Sequence, residues 1–349
     1  MAPHPVIDGL VLFGALLIIL GSAELFTNGV EWLGQKLHLS EGVVGSVLAA
    51  VGTALPETLI PVVSVLCFAG GDSMAVHAAH AVGIGAIAGA PFMLTTLTMG
   101  LCGFAILWCA RRGLRSETLS INEVVLKRDL SFFIMGYAMA LVCAFPIFDR
   151  PDFKLVRWMV AALMVGMYFL YLRKTFAHEG EVGEAPEHLH LNRLLKTGTN
   201  VAVIVIQVLI GLAGIVGGAI LFVDHVRALS TFLAVPPMIL ALIVAPVATE
   251  LPEKVNSILW ARKGKDTLAL GNITGALVFQ SCWPAAFGIV FTEWDLSLGT
   301  TISGIVAIGA AFFYLALLDR QRLSARYMLC GAIGYISVVA WLVFSMQGH

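Results

Sequence analysis

Two passages place an acid where an apolar chain has little reason to keep one. Gly52-Thr53-Ala54-Leu55-Pro56-Glu57 and Ala248-Thr249-Glu250-Leu251-Pro252-Glu253 each lie inside a long hydrophobic run. An ionisable side chain near the middle of a bilayer costs roughly 3 kcal/mol even on permissive scales, so it persists where it faces a cavity and has a task. The proline before each Glu has no N–H and interrupts the i→i−4 ladder, freeing backbone carbonyls beside the acid. Carboxylate, hydroxyl and carbonyl oxygens at a broken helix form a site for a hard cation.

The two passages are copies. An offset of 196 lays Ala49, Val51, Thr53, Leu55, Pro56 and Glu57 on Ala245, Val247, Thr249, Leu251, Pro252 and Glu253. The same offset, without a gap, pairs Gly21, Ala23, Leu25, Phe26, Val30 and Leu33 with Gly217, Ala219, Leu221, Phe222, Val226 and Leu229. One register held across both stretches indicates an internal duplication.

What positions these passages is a membrane protein. Of 349 residues 59% are hydrophobic and only 12% charged, too little polar surface to cover a water-soluble globule. A net charge of −1, with no basic run interleaved with aromatics, excludes a nucleic-acid partner. The six cysteines are scattered through apolar segments without a C-x-x-C pair, so they read as free packing residues rather than a disulfide or zinc framework. No Lys or Arg precedes the first apolar run, which disfavours a cleaved signal peptide and makes Val6 onward a retained span.

Apolar runs bounded by polar or turn residues give ten spans, at about 6–34, 41–69, 73–108, 129–148, 154–172, 199–224, 233–261, 266–291, 297–318 and 324–346. The loops after the odd-numbered spans carry 16 Lys and Arg, whereas the opposite side, termini included, carries four. That bias places the odd loops in the cytoplasm and both termini outside. Five spans per half force the second half to be inverted relative to the first. The expected architecture is therefore an all-α polytopic membrane protein of ten transmembrane helices in two inverted five-helix repeats, residues 1–172 and 199–349, with discontinuous helices at Pro56 and Pro252. Residues 173–198 form the cytoplasmic hydrophilic linker, read as a solvated hinge.

With these motifs in hand, both halves resemble the repeats of the cation/calcium exchanger superfamily, the sodium/calcium exchangers and their relatives, as a divergent prokaryotic-type member. The family pattern is close to Ala-x-Gly-Thr-Ser-Leu-Pro-Glu, followed in the next span by Gly-Asn-x-x-Gly-Ser-Asn. Here the first element reads Ala50 to Glu57 and Pro246 to Glu253, and the second Gly85 to Pro91 and Gly271 to Leu277. The resemblance implies a secondary-active antiporter in the plasma or inner membrane that moves a divalent cation, Ca²⁺, against Na⁺ by alternating access. Glu57 and Glu253 would be the central ligands, with Thr53 and Thr249 completing part of the shell and Glu250 and Gln280 tuning selectivity. The partners are then inorganic cations and the lipid bilayer, and no cofactor is implied beyond the transported ions.

Departures from the pattern bear on the ion. Where the family carries Ser and Asn or Asp, this chain has Ala90, Pro91 and Leu94, then Ala276, Leu277 and Gln280. Several oxygens for Ca²⁺ and Na⁺ are thus missing, which leaves H⁺ coupling or another cation open. Glu250 and Lys254 are spaced i,i+4. Either they pair and neutralise each other, or the Pro252 break separates them and Lys254 stands as a built-in cation competing at the site. His77 and His80, at i,i+3, are either packing residues or a transition-metal or proton site. Glu24 either packs or lines the outer access path. Neither H-E-x-x-H nor G-x-S-x-G is present, so an intramembrane enzyme is not expected. An ion-binding sensor or scaffold that does not turn over is the alternative of a different class.

Overall fold

The computed structural model describes residues 5–36, 55–68, 72–176, 189–191 and 200–347. Among them every regular element is a helix: α1 Pro5–Lys36, α2 Leu55–Leu66, α3 Ser73–Met93, α4 Met99–Arg111, α5 Glu123–Cys143, α6 Lys154–Phe176, α7 Val201–Leu233, α8 Pro237–Thr249, α9 Leu251–Arg262, α10 Asp266–Phe291, α11 Leu298–Asp319 and α12 Ala325–Gln347. A π-helical turn, Leu94–Thr98, joins α3 to α4 without interrupting the run. Seven of the described spans are long and apolar enough to cross a bilayer, and two shorter apolar helices end at Leu66 and Val247. Large side chains such as Leu10, Phe13, Leu163, Ile333 and Phe344 point outward more than half exposed. The chain is a multi-pass membrane protein, and lipid is the solvent such a surface fits.

Close approaches at glycine fix how the helices run. Gly211, Gly214 and Gly218 of α7 meet Phe26, Ser22 and Ile19 of α1 in descending order, so these two helices are antiparallel. They are also the helices matched at the 196-residue offset, and an antiparallel pair of matched first helices is what an inverted repeat produces. Gly85 and Gly89 of α3 face Met238 and Leu242 of α8, a parallel pair. Gly100 and Gly103 of α4 face Ala332 and Met328 of α12, an antiparallel one. Each relation agrees with strict alternation across ten spans.

Two spans start or stop elsewhere than the apolar runs suggest. The fourth is placed by sequence at 129–148, whereas α5 runs Glu123–Cys143. Asn122 caps it by accepting from the amides of Val124 and Val125, and the charged turn is tolerated because Asp129 meets Arg128 at 3.0 Å and the Thr274 hydroxyl at 2.8 Å. It ends early because Pro146 disfavours helix in the residue before it. The sixth is placed at 199–224, yet α7 continues to Leu233. Its polar turn is accommodated by Asp224–Arg227 at 3.7 Å and His225–Asp8 at 2.9 Å. Ala234 then takes a left-handed φ of 53° ahead of two prolines.

The linker is not wholly solvated. Leu189 is buried, the His190 amide donates to Asn28 Oδ1 at 3.1 Å, and the Leu191 amide donates to Gln207 Oε1 at 2.7 Å. Gln207 closes the set through Nε2, donating to Leu25 O and Asn28 Oδ1, each at 2.9 Å.

Candidate cation site

The seventh span is discontinuous as the proline predicts. α8 stops at Thr249, Glu250 has φ −87° and ψ 7°, and α9 restarts at Leu251. In the second span α2 begins at Leu55 with Glu57 in its first turn. Thr53 and the rest of 37–54 lie outside the described residues. The α3–α8 contact leaves no room for a Cβ at Gly85 or Gly89 against the Met238 and Leu242 carbonyls. Those two motif glycines therefore draw the third span onto the half-helix that ends at the break.

The three acids meet there. Glu57, Glu250 and Glu253 are each at most 5% exposed, and one carboxylate oxygen of each lies within 4.8 Å of the others. Gln280 reaches in from α10 and donates its amide to Glu250 Oε1. Among the described residues, neither Glu57 oxygen has a hydrogen-bond partner, nor do Glu250 Oε2 and Gln280 Oε1. Acceptors crowded together without donors in a water-poor interior are costly unless positive charge joins them. Carboxylate and carboxamide oxygens are the donor set of a hard divalent ion.

Of the six residues singled out by sequence, four share this cluster: Glu57, Glu253, Glu250 and Gln280. Thr249 is buried at the break, its hydroxyl donating to Ala245 O at 3.2 Å. Lys254 does not pair with Glu250. Its ammonium donates to the carbonyl oxygens of Pro246 at 2.5 Å and Val247 at 3.5 Å. Glu24 meets His190 of the linker at 3.3 Å. His77 and His80 lie at the opposite end of the molecule from the α4–α5 connection. They line a cavity of about 510 Å³ with Arg150, Lys154 and Glu293, and His77 Nδ1 lies 3.4 Å from Glu293 Oε2.

The sodium/calcium exchanger protein family profile matches residues 8–176 and 203–346, nearly the whole chain. The chain belongs to the sodium/calcium exchanger family. Among its relatives, an uncharacterised membrane protein of Methanocaldococcus jannaschii is 24% identical over 284 residues, 81% of each chain. The sodium/calcium exchanger MaX1 of Methanosarcina acetivorans is 23% identical over 300 residues, 77% of this chain and 79% of that one. Of solved structures, the H⁺/Ca²⁺ exchanger CAX superposes with a TM-score of 0.70 at 14% identity, covering 99% of this chain and 87% of its own. The sodium-calcium exchanger NCX_Mj gives 0.57 at 18% identity, covering 97% and 99%. At these identities the likeness is one of fold.

Within this family member, two further polar residues tie together the helices around the site. Asn272, the amide of the second glycine motif, donates to Glu253 O at 3.2 Å and to Ser257 Oγ at 3.0 Å, tying α10 to α9. Tyr137 of α5 donates to Ala88 O at 3.2 Å. Asn272 was readable from its motif. Nothing in the sequence distinguishes Tyr137 from a packing aromatic.

Proposed function

We propose that the chain is a secondary-active antiporter that carries a divalent cation, Ca²⁺, through the cluster of Glu57, Glu250, Glu253 and Gln280, with Thr53 and Thr249 contributing further oxygens. The observation that carries this reading is the convergence of three buried carboxylates from two inverted repeats at a helix break. Ca²⁺ takes six to eight oxygens at ~2.3–2.6 Å, and three carboxylates with a carboxamide offer that number. The names of MaX1 and CAX, which specify sodium/calcium and H⁺/Ca²⁺ exchange, support Ca²⁺ as cargo. They leave Na⁺ and H⁺ as the two candidate counter-ions. The repeats, 1–172 and 199–349, would expose the site to each side in turn. The Lys and Arg bias supports a cytoplasmic position for the odd loops and an outside position for both termini, in the plasma or inner membrane.

The test is Ca²⁺ flux into proteoliposomes under imposed Na⁺ and pH gradients. Glu57→Gln and Glu253→Gln are expected to abolish gradient-driven uptake while inserting normally. Near wild-type flux in either variant refutes the assignment. Ion binding without flux under any gradient supports the sensor instead.

A further inference from the structure

The two Leu-Pro-Glu passages are not equivalent. At the 196-residue offset Glu250 falls on Ala54 and Lys254 on Thr58, so the second repeat carries an acid and a base that the first lacks. Had the two charges joined each other, the addition would be electrostatically silent. They form no direct ion pair: Glu250 enters the carboxylate cluster and takes the Gln280 amide, while the Lys254 ammonium beside it bonds to Pro246 O and Val247 O. These carbonyls lie in the last turn of α8, at the partially negative end of a half-helix, where Pro246 O also accepts from the Glu250 amide at 3.3 Å and keeps a second lone pair for a cation. Carbonyls at the ends of broken membrane helices are the oxygens that hold Na⁺ in transporters built this way. Lys254 is 8% exposed, and its chain is fixed at the first turn of α9, so it cannot leave for water as a free ion does.

We propose that Lys254 is a tethered monovalent cation that permanently fills one cation position at the second helix break, so that the protein exchanges its divalent cargo without binding Na⁺. The inference rests on the reading of Glu57, Glu250 and Glu253 as the divalent site.

The experiment compares wild type, Lys254→Met and Lys254→Arg in proteoliposomes. It measures the half-saturating Ca²⁺ concentration for uptake with Na⁺ or choline as the bulk cation, and reads folding from gel-filtration profiles. Wild type and Lys254→Arg should be indifferent to Na⁺. Lys254→Met, with the carbonyls released, should acquire a Na⁺ response, a shift of about fivefold or more at the low end of ordinary linkage between two sites. Stimulation of wild-type uptake by a Na⁺ gradient overturns the proposal on its own, even if the Met variant does not fold. A folded Lys254→Met that ignores Na⁺ also overturns it. A wild type that neither binds nor moves Ca²⁺ defeats the underlying divalent site, a result distinct from either of those.

Discussion

Replacing Gln280 by Leu, the residue found at position 94 of the first repeat when Gly85 is laid on Gly271, removes one hydrogen bond and one oxygen from the cluster with little change in volume. Gln280 is 3% exposed, its amide nitrogen serves Glu250, and its Oε1 has no partner among the described residues. A hydrogen bond to a charged group contributes about 1.5–3 kcal/mol. Loss of a group that orients a ligand typically lowers metal affinity 10–100-fold. These agree, since each tenfold is about 1.4 kcal/mol. Equilibrium Ca²⁺ binding to the detergent-solubilised protein should therefore weaken by one to two orders of magnitude, as ~10–100-fold losses require. The melting temperature without ion should fall as well, because Glu250 stays buried without the amide that served it, a loss of about 1–3 kcal/mol. A folded variant with lowered melting temperature and unchanged Ca²⁺ affinity would mean that Gln280 and Glu250 are a structural pair, and that this cluster is not the ion site.

Arg115 and Asp266 form a buried bidentate pair at 2.7 and 2.8 Å that clamps the α4–α5 connection onto the start of α10. Arg115→Met leaves Asp266, 1% exposed, without its counter-charge and with the Ser120 amide at 2.9 Å, and should destabilise by about 3 kcal/mol, the low end for a broken buried pair. Thermal unfolding in detergent checks this, and adding Asp266→Asn should restore part of the loss. Gly89→Ala should reduce the yield of folded protein, because a Cβ there meets the backbone of Leu242, and overpacking against a rigid neighbour costs about 1–3 kcal/mol. Gly271→Ala is the internal control: nothing lies within 4 Å of its Cβ, so it should be neutral or stabilise by about 0.5–1 kcal/mol through helix propensity.

Much of this was legible because membrane spans announce themselves by length and because a proline beside a buried acid has few explanations. Glu57 and Glu253 stood out without any partner being known. What the chain did not disclose were choices made by residues far away in sequence. Asp129 sits inside α5 rather than at its start because Thr274, on another helix, supplies a hydroxyl. Whether Glu250 and Lys254 pair could not be settled by their spacing, since a third residue, Gln280 on α10, competes for the acid. The linker read as solvated because its composition is polar, yet residues 189–191 satisfy amides of Asn28 and Gln207 buried between α1 and α7. Period and composition report what an element prefers alone; these outcomes depended on which partner arrived.

Alternating access needs a part that moves, and the polar contacts mark two helices that are tied as one body. α1 and α7 are joined by a seam of glycines and by hydrogen bonds at both ends: Asp8 with His225 at 2.9 Å, and Asn28 with Gln207 at 2.9 Å. Toward the helices that carry the site they present Leu12, Ala15, Ile19, Phe222 and Val223, packed on Ile60, Val63, Val82 and Ala241. Apolar contact is non-directional, so this face can shift with few hydrogen bonds to break, whereas the seam within the pair cannot. It follows that locking α1 to α7 should leave transport intact. Ser22 and Gly214 approach closely, a Cβ at 214 lying 2.9 Å from that of Ser22, so the two helices need part by only about 0.6 Å to reach the ~3.5–4.5 Å of a disulfide. Oxidising Ser22→Cys/Gly214→Cys, with mobility on gels confirming the cross-link, should preserve most Ca²⁺ flux. If flux stops on oxidation and returns on reduction, the two helices move against each other, and the division into a sliding pair and a fixed site is wrong.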